Sequence, residues 1–537
     1  MNPILFHLRR LWAGANRLRR LVIFSFEQIV LTRLLARHRK IADTVAHALL
    51  HTKGIEPHPP ELEVQERDDT RNAAWSRGFT AVNAALFLNL RNADELSPCR
   101  HARPAPAFRA VYLWDSAFIA QVWKWWDPAV AFDVLNAVIQ GRDGARLQHF
   151  VSEFTSSKFT QPPLIAWSLA RLREVAEPRQ YRAWVEASFP ALVSYHQWMR
   201  ENRRLENGLY AWAHAYESGV ENAPRFGTRD ERRLRDTRSI GAPDLCAYMI
   251  LQCEALAEFA AMLGREGEAA RYLHEADALR ERVNELLWDE EVGLYFDRTE
   301  EGRFIRSRTV ASLLPLWAGA PDSVRARRLI AHILSPEAFN TLIPIPSVAL
   351  NDPEFERDMW RGPVWLNTAF AVIEGLRRYG AHAAASELAF RLCDGVYRTY
   401  AECGHFYEFY DPTAYGTKDL FRKRGNQWKR ITLGSGPGAD FVGWTGLVNT
   451  LALETLFGLQ AGANGPQLRP RLPQQAAGWR FCLSLPLWDA EVDMDVLTGG
   501  ATRGEIRAGG ATRTFTSTFG EAVPLLRPKQ ASSRAIA

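Results

Sequence analysis

LCAYMILQCEALAEFAAML, residues 245–263, and EAARYLHEADALRERVNELL, residues 268–287, decide how this chain is read. In the second stretch Ala269, Tyr272, Leu273, Ala276, Leu279, Val283, Leu286 and Leu287 recur every three or four residues, which lays one wide apolar face along a helix. The first stretch repeats the pattern with Glu254 and Glu258 on its polar side. Gly264 follows it as the residue that can end a helix in a left-handed turn. Together the two predict a helical hairpin.

Hairpins of this kind follow one another outward from there, from about Thr70 to Leu459. A local echo supports a repeating plan: one helix runs into Asn207-Gly208-Leu209-Tyr210 and another into Val292-Gly293-Leu294-Tyr295. Roughly a dozen helices with almost no strand-rich interval predict paired helices closed into a toroid, although periodicity does not separate a ring from an open solenoid. After about Gly462 the pattern changes. Alternating segments such as Trp479–Pro486 and Ala511–Phe519, with glycine-rich turns, predict a small antiparallel β-unit.

At the other end, Leu18–His38 sets Leu21, Phe24, Ile29 and Leu35 among arginines in a helical rhythm. One reading is peripheral contact with an anionic membrane surface; the other is a helix packed on its own domain or on a partner subunit. His51–Arg67, polar and proline-rich around His58-Pro59-Pro60, reads as a linker. The expected organisation is a basic helical arm and linker (1–67), a helical catalytic domain (68–460) and a β-rich appendage (461–537).

Composition limits the function classes. Apolar residues are 47% and charged residues 24% of 537, the balance of a globular protein. Much of the net charge of +5 lies in the first forty residues, so no general polyanion-binding surface or nucleic-acid partner is expected. The six cysteines (Cys99, Cys246, Cys253, Cys393, Cys403, Cys482) form no CxxC pair and read as ordinary thiols. No run of eighteen apolar residues and no secretory signal pattern is present, which predicts a cytoplasmic protein without a transmembrane helix. The 18 Trp, 14 Tyr and 28 Phe exceed what core packing usually demands, and surplus Trp supplies flat apolar faces for ligands.

Four interhelical stretches combine carboxylates with Trp, Gly and Pro: Tyr112–Phe118, Glu217–Pro224, Trp360–Trp365 and Phe406–Pro412. Glycoside hydrolysis needs such a setting, two carboxyl groups flanking the bond with polar and aromatic groups to grip the sugar. Glu221 sits in a loop between Gly219 and Pro224. Glu408 lies among Phe406, Tyr407, Phe409 and Tyr410, a setting that can desolvate a carboxylate and tune its pKa; the bland alternative is a Glu hydrogen-bonded to a Tyr. Gly434–Thr445 is glycine-rich but lacks the Gly-Lys-Ser/Thr ending of a phosphate loop, and is expected to line or cover a pocket. HExxH, Gly-x-Ser-x-Gly and a strand-to-helix GxGxxG are all absent, which disfavours metal, serine-hydrolase and dinucleotide chemistry.

Taken together and in order, these motifs resemble the clan of (α/α)6-barrel glycosidases that includes trehalases and processing α-glucosidases, in particular bacterial mannosylglycerate and glucosylglycerate hydrolases. Leu113–Phe118 resembles the family's first sugar-contact motif, Thr160-Gln161-Pro162-Pro163 matches Thr-Gln-Pro-Pro, Trp360–Trp365 matches Trp-Arg-Gly-Pro-x-Trp, and Gly443-Trp444-Thr445 resembles the motif after the glycine-rich loop. The resemblance implies an inverting hydrolase of a small α-glucoside or α-mannoside, with no cofactor and no catalytic metal. It implies Glu408 as general base and Glu221 as general acid, with Glu217 and Asp230 as fallback acids, and a sugar subsite of Trp114, Asp115, Gln161, Arg361, Trp365 and Trp444. The family has Asp where this chain has Glu221, an added reach of roughly 1.5 Å, and a misplacement of that size can cost on the order of a hundredfold in rate. An exo-α-glucosidase acting on oligosaccharides and a catalytically inactive sugar-binding protein on the same fold are the two alternatives.

Overall fold

The structure, a computed structural model, describes residues 53–55, 58–65, 69–153, 155–227, 236–422, 434–462 and 465–525. The basic arm read at Leu18–His38 and the fallback acid Asp230 lie outside these residues.

The described chain is mainly helical. Helices α1 (Asp69–Asn89), α2 (Leu113–Trp123), α3 (Pro128–Gln140), α4 (Ile165–Ala170), α5 (Pro178–Arg203), α6 (Pro243–Met262), α7 (Glu266–Leu286), α8 (Ser323–Leu334), α9 (Leu366–Arg378) and α10 (His382–Cys403) lead to α11 (Leu447–Thr450), which runs on as a π-helical turn, Leu451–Leu456. Sequence neighbours pack as pairs: α2 on α3, α6 on α7, and α9 on α10.

The hairpin that opened the sequence reading is α6–α7. Ala269, Tyr272, Ala276, Leu279 and Val283 are buried, while Leu273, read on the same face, is half exposed at its edge, and Gly264 between the helices has φ +74°. The two echo turns share one geometry, with Gly208 at φ +89° and Gly293 at φ +79°, each followed by a buried Leu-Tyr pair. Proline at the start of α6 costs nothing, because the first amides of a helix have no partner within it.

Helix α6 bears on the membrane expectation. By length and composition it is apolar enough to cross a membrane, which a search for an unbroken apolar run misses because Asp244, Gln252 and Glu254 interrupt it. In its most apolar window 78% of the residues are buried inside the protein, as in a core helix.

One correction concerns the linker. Within His51–Arg67, residues Glu61–Gln65 form strand β1, with Leu62 and Val64 buried between exposed neighbours. β1 pairs antiparallel with β2 (Arg480–Leu485), aligning Leu62 with Leu483, and a meander continues through β3 (Ala490–Val496), β4 (Thr502–Ala508) and β5 (Ala511–Ser517). The alternation in Glu-Leu-Glu-Val-Gln is only five residues long, and prolines on one side disguise it as linker. This five-stranded sheet is tied to the helices through α1. The Trp75 indole packs against Trp479 (5.5 Å), Phe390 (5.1 Å) and Tyr397 (5.2 Å) and donates to Asp394 (3.1 Å).

One end of the helices gathers the motif loops. Trp114 and Asp115 stand in the first turn of α2, Gln161 lies just before α4, Trp365 caps the start of α9, and Glu408 follows the end of α10.

Candidate active site

A cavity of about 240 Å³ opens among these loops, and its lining includes Trp114, Asp115, Gln161, Glu221, Trp365, Glu408 and Trp444. Seven of the eight residues expected at the site therefore meet around one space, from segments more than three hundred residues apart.

The exception is Arg361. Its guanidinium donates to Glu356 (3.2 Å) and to the Asn222 carbonyl (3.4 Å) and lies 3.8 Å from Glu354, outside the cavity lining. It fastens the Glu221 loop to the Trp360–Trp365 loop. A motif arginine beside a site is as readily a buried loop clamp as a ligand contact, and the carboxylates that claim it, Glu354 and Glu356, are set by the backbone turn rather than by any local pattern.

In its place the cavity holds Arg422, which the sequence reading passed over. Arg422 is buried and ion-paired with the Glu408 carboxylate, and its Nε donates to the Gly436 carbonyl (3.2 Å). Burial lowers its pKa to about 10, opposed by the negative charges of Glu221 and Asp358. The guanidinium is therefore within electrostatic reach of the Glu221 carboxylate while bound to that of Glu408. No motif marks Arg422, so nothing local could have found it.

Glu408 is fixed on every side. Its amide donates to the Gly438 carbonyl (2.9 Å), its carboxylate accepts from the Gly438 amide (3.3 Å), and its carbonyl accepts from the Trp444 indole (2.8 Å). The glycine-rich segment thus lines the pocket, as expected. A Cβ on Gly438 would stand 3.2 Å from the Glu408 carboxylate and 3.3 Å from Phe108, so a larger residue would crowd both.

The Glu221 loop is shaped by Gly219. With φ +74° it occupies the left-handed region, and a Cβ there would fall 2.5 Å from the Trp114 indole. Asn222 then zips the loop across the cavity edge: its side chain donates to the Asp358 carbonyl (3.2 Å) and accepts from the Trp360 amide (3.0 Å). Met359, which also lines the cavity, holds φ +49°, a conformation that a non-glycine residue keeps only where its surroundings impose it.

Glu217, the first fallback acid, is fully buried and gripped by Arg203 at 2.6 and 2.8 Å, while accepting from the amides of Ala213 (2.9 Å) and Thr160 (3.4 Å). It braces the Thr160-Gln161 backbone and is absent from the cavity lining.

The walls are aromatic. Trp360 and Trp365 stack with centroids 3.7 Å apart, so one face of Trp365 is taken, and Trp444 lies 5.5 Å from both Trp114 and Trp365. The Gln161 carboxamide is oriented with its oxygen accepting from the Trp114 indole (3.2 Å) and His149 Nε2 (2.8 Å). Asp115 is buried at the pocket, and burial pushes its pKa up to about 8. A carboxyl in that state donates as well as accepts hydrogen bonds, which suits a sugar hydroxyl. Among the described residues, no group of three or more metal-ligating side chains forms here; the one such group, His196, Cys253 and Glu275, lies between α5, α6 and α7.

Residues 110–419, more than half of the chain, match the family model described as the mannosylglycerate hydrolase MGH1-like glycoside hydrolase domain. A mannosylglycerate hydrolase from Rubrobacter radiotolerans is 27% identical over 430 residues, covering 64% of this chain and 91% of the relative. One from Thermus thermophilus is 30% identical over 374 residues, covering 56% and 88%. The crystal structure of a GH63 mannosylglycerate hydrolase from Thermus thermophilus in complex with Tris and D-glycerate superposes with a TM-score of 0.57 at 25% identity, covering 69% of this chain and 99% of that one. A neutral trehalase from Saccharomyces cerevisiae, 16% identical with a TM-score of 0.51 over 65% and 73% of the two chains, shares the fold. The chain belongs to the MGH1-like glycoside hydrolase family.

Proposed function

We propose that this glycoside hydrolase cleaves the α-glycosidic bond of a small glucoside or mannoside by single displacement, at one end of an (α/α)6 toroid. Glu221 is the general acid and Glu408 the general base. The observation that carries the reading is that these two carboxyls line one aromatic cavity, and both stand within the field of the same buried arginine. Inversion requires them roughly 6.5–9.5 Å apart, leaving room for the attacking water. Trp114, Trp365 and Trp444 wall the sugar, Asp115 and Gln161 hold its hydroxyls, and Arg422 orients Glu408. An anionic aglycone of the glycerate kind is in keeping with the relatives named mannosylglycerate hydrolases and the Thermus structure holding D-glycerate. Glu221 is the longer homologue of the family's aspartic acid, on a loop whose path is held by Gly219 and Asn222. The alternatives, an oligosaccharide exo-glucosidase and an inactive binding protein, are not favoured. Scattered cysteines, all free, fit work in the cytoplasm.

The test is hydrolysis of mannosylglycerate and glucosylglycerate followed by proton NMR. The β-anomer should appear first, and Glu221→Gln and Glu408→Gln should each lower kcat by about a hundredfold to ten-thousandfold. First release of the α-anomer would mean retention, and full activity in Glu221→Gln would remove it as the acid.

A further inference from the structure

The far end of the same helices carries a second cavity, of about 360 Å³, larger than the first. Helix α9 measures the separation: Trp365 precedes its first turn at the catalytic end, while Arg377 and Arg378 close it at the other, roughly 18 Å away at 1.5 Å per residue. Trp167 and Trp317, packed edge to face at 4.9 Å, contribute its apolar wall.

The polar lining is unbalanced. Its two carboxylates are already shared between cations: Glu374 accepts from Arg171 (3.0 Å) and Arg377, and Glu254 from Arg378 (3.1 Å) and Arg280. Glu454, behind them in the π-turn, is held by Lys124 (2.8 Å) and Arg171. No acidic charge is left over for Arg471, whose guanidinium has no hydrogen-bond or ion-pair partner among the described residues. Nor does the buried Nδ1 of His382, on the same lining, have one. Both groups face positive charge instead. Burial together with Arg377 and Arg469 lowers the pKa of Arg471, and burial together with Arg471 and Arg377 lowers that of His382. His382 also begins α10, whose N-terminus has no side-chain cap, so the positive end of that helix dipole adds to the same field.

Such an arrangement is repulsive by itself and becomes favourable around an oxyanion. We infer that this cavity is a binding site for a phosphoryl group, held by Arg471, Arg377 and His382. The space beside the two tryptophans is far larger than one oxyanion needs, and accommodates the organic part of a phosphate ester.

Isothermal titration of the full-length protein with inorganic phosphate, with a hexose 6-phosphate and with the unphosphorylated hexose, all at fixed ionic strength, tests this. Both phosphoryl compounds should bind, and the hexose should not bind here. Binding of the hexose phosphate that is tighter than that of phosphate and is lost in Arg471→Ala would identify an ester as the natural occupant, and equal binding would identify free phosphate. Arg471→Ala should weaken phosphate binding about tenfold to hundredfold, the worth of a charge-assisted hydrogen-bond pair. Arg471→Lys should restore part of it, and glycoside hydrolysis measured without phosphate should stay unchanged in both variants. Absence of phosphate binding in the wild-type protein, or binding that Arg471→Ala leaves intact, would overturn the inference.

Discussion

Substituting Gly219 by alanine adds one methyl group to the chain, and the structure says where it goes. The new Cβ would sit 2.5, 2.7 and 2.9 Å from three atoms of the Trp114 indole, where ordinary carbon contacts begin near about 3.5 Å. Relief therefore needs about 1 Å of movement. Trp114 is badly placed to supply it, because its ring is hemmed in by Trp444 (5.5 Å), Trp360 (6.0 Å) and Phe118 (6.2 Å), and its N–H is bonded to Gln161. The loop must yield, and Glu221 lies two residues on. The backbone adds its own cost, since φ +74° disfavours any residue with a Cβ by roughly 1–2 kcal/mol, to which overpacking adds about 1–3 kcal/mol. A 1 Å error in the position of a catalytic group costs on the order of a hundredfold in rate. Gly219→Ala is therefore expected to lower both the melting temperature and kcat/KM on whichever α-glycoside the wild type cleaves, the latter by about a hundredfold. The assays are calorimetry and initial-rate kinetics on the purified variant. Wild-type kcat/KM with an unchanged melting temperature would refute the claim that the close approach of Gly219 to Trp114 sets the loop.

Two further outcomes follow from the same geometry. Asn222→Ala removes both side-chain bonds to the Asp358–Trp360 segment, so kcat should fall about tenfold to hundredfold with little change in KM, and a raised KM with unchanged kcat would assign Asn222 to substrate binding instead. Asp115 holds its proton in the folded state up to about pH 8, against an ordinary value of 3.8, so the folded protein binds more protons than the unfolded chain between those limits. Its contribution to stability is then fully present below about pH 4 and lost as pH rises to about 8, and denaturant midpoints of Asp115→Asn relative to wild type should shift in the variant's favour across that window. A difference between the two proteins that stays constant from pH 4 to 8 would show that Asp115 ionises normally.

The sequence by itself determined the helices and their pairing, because a 3.6-residue apolar rhythm is a local property that burial of one face must respect. Ala269 to Val283 shows it directly: every third or fourth side chain is buried. Composition also marked part of the site, since Trp114, Glu221, Trp365, Glu408 and Trp444 stand in or beside stretches of unusual composition that converge on one cavity, whereas Gln161 was implied only by the family resemblance. What the tertiary structure alone decided is which charged groups face each other. Arg361, inside a motif, is consumed by Glu356 and Glu354, whereas Arg422, in no motif, is paired with Glu408. Glu217 and Glu221 stand four residues apart on one loop, yet the first is locked by Arg203 and the second lines the cavity. Strand β1 was hidden for the same reason, its partner lying more than four hundred residues further on. Periodicity is written along the chain, but an electrostatic partner or a strand neighbour is chosen across space, where one turn of backbone decides whether a charge is a clamp, a ligand contact or an acid.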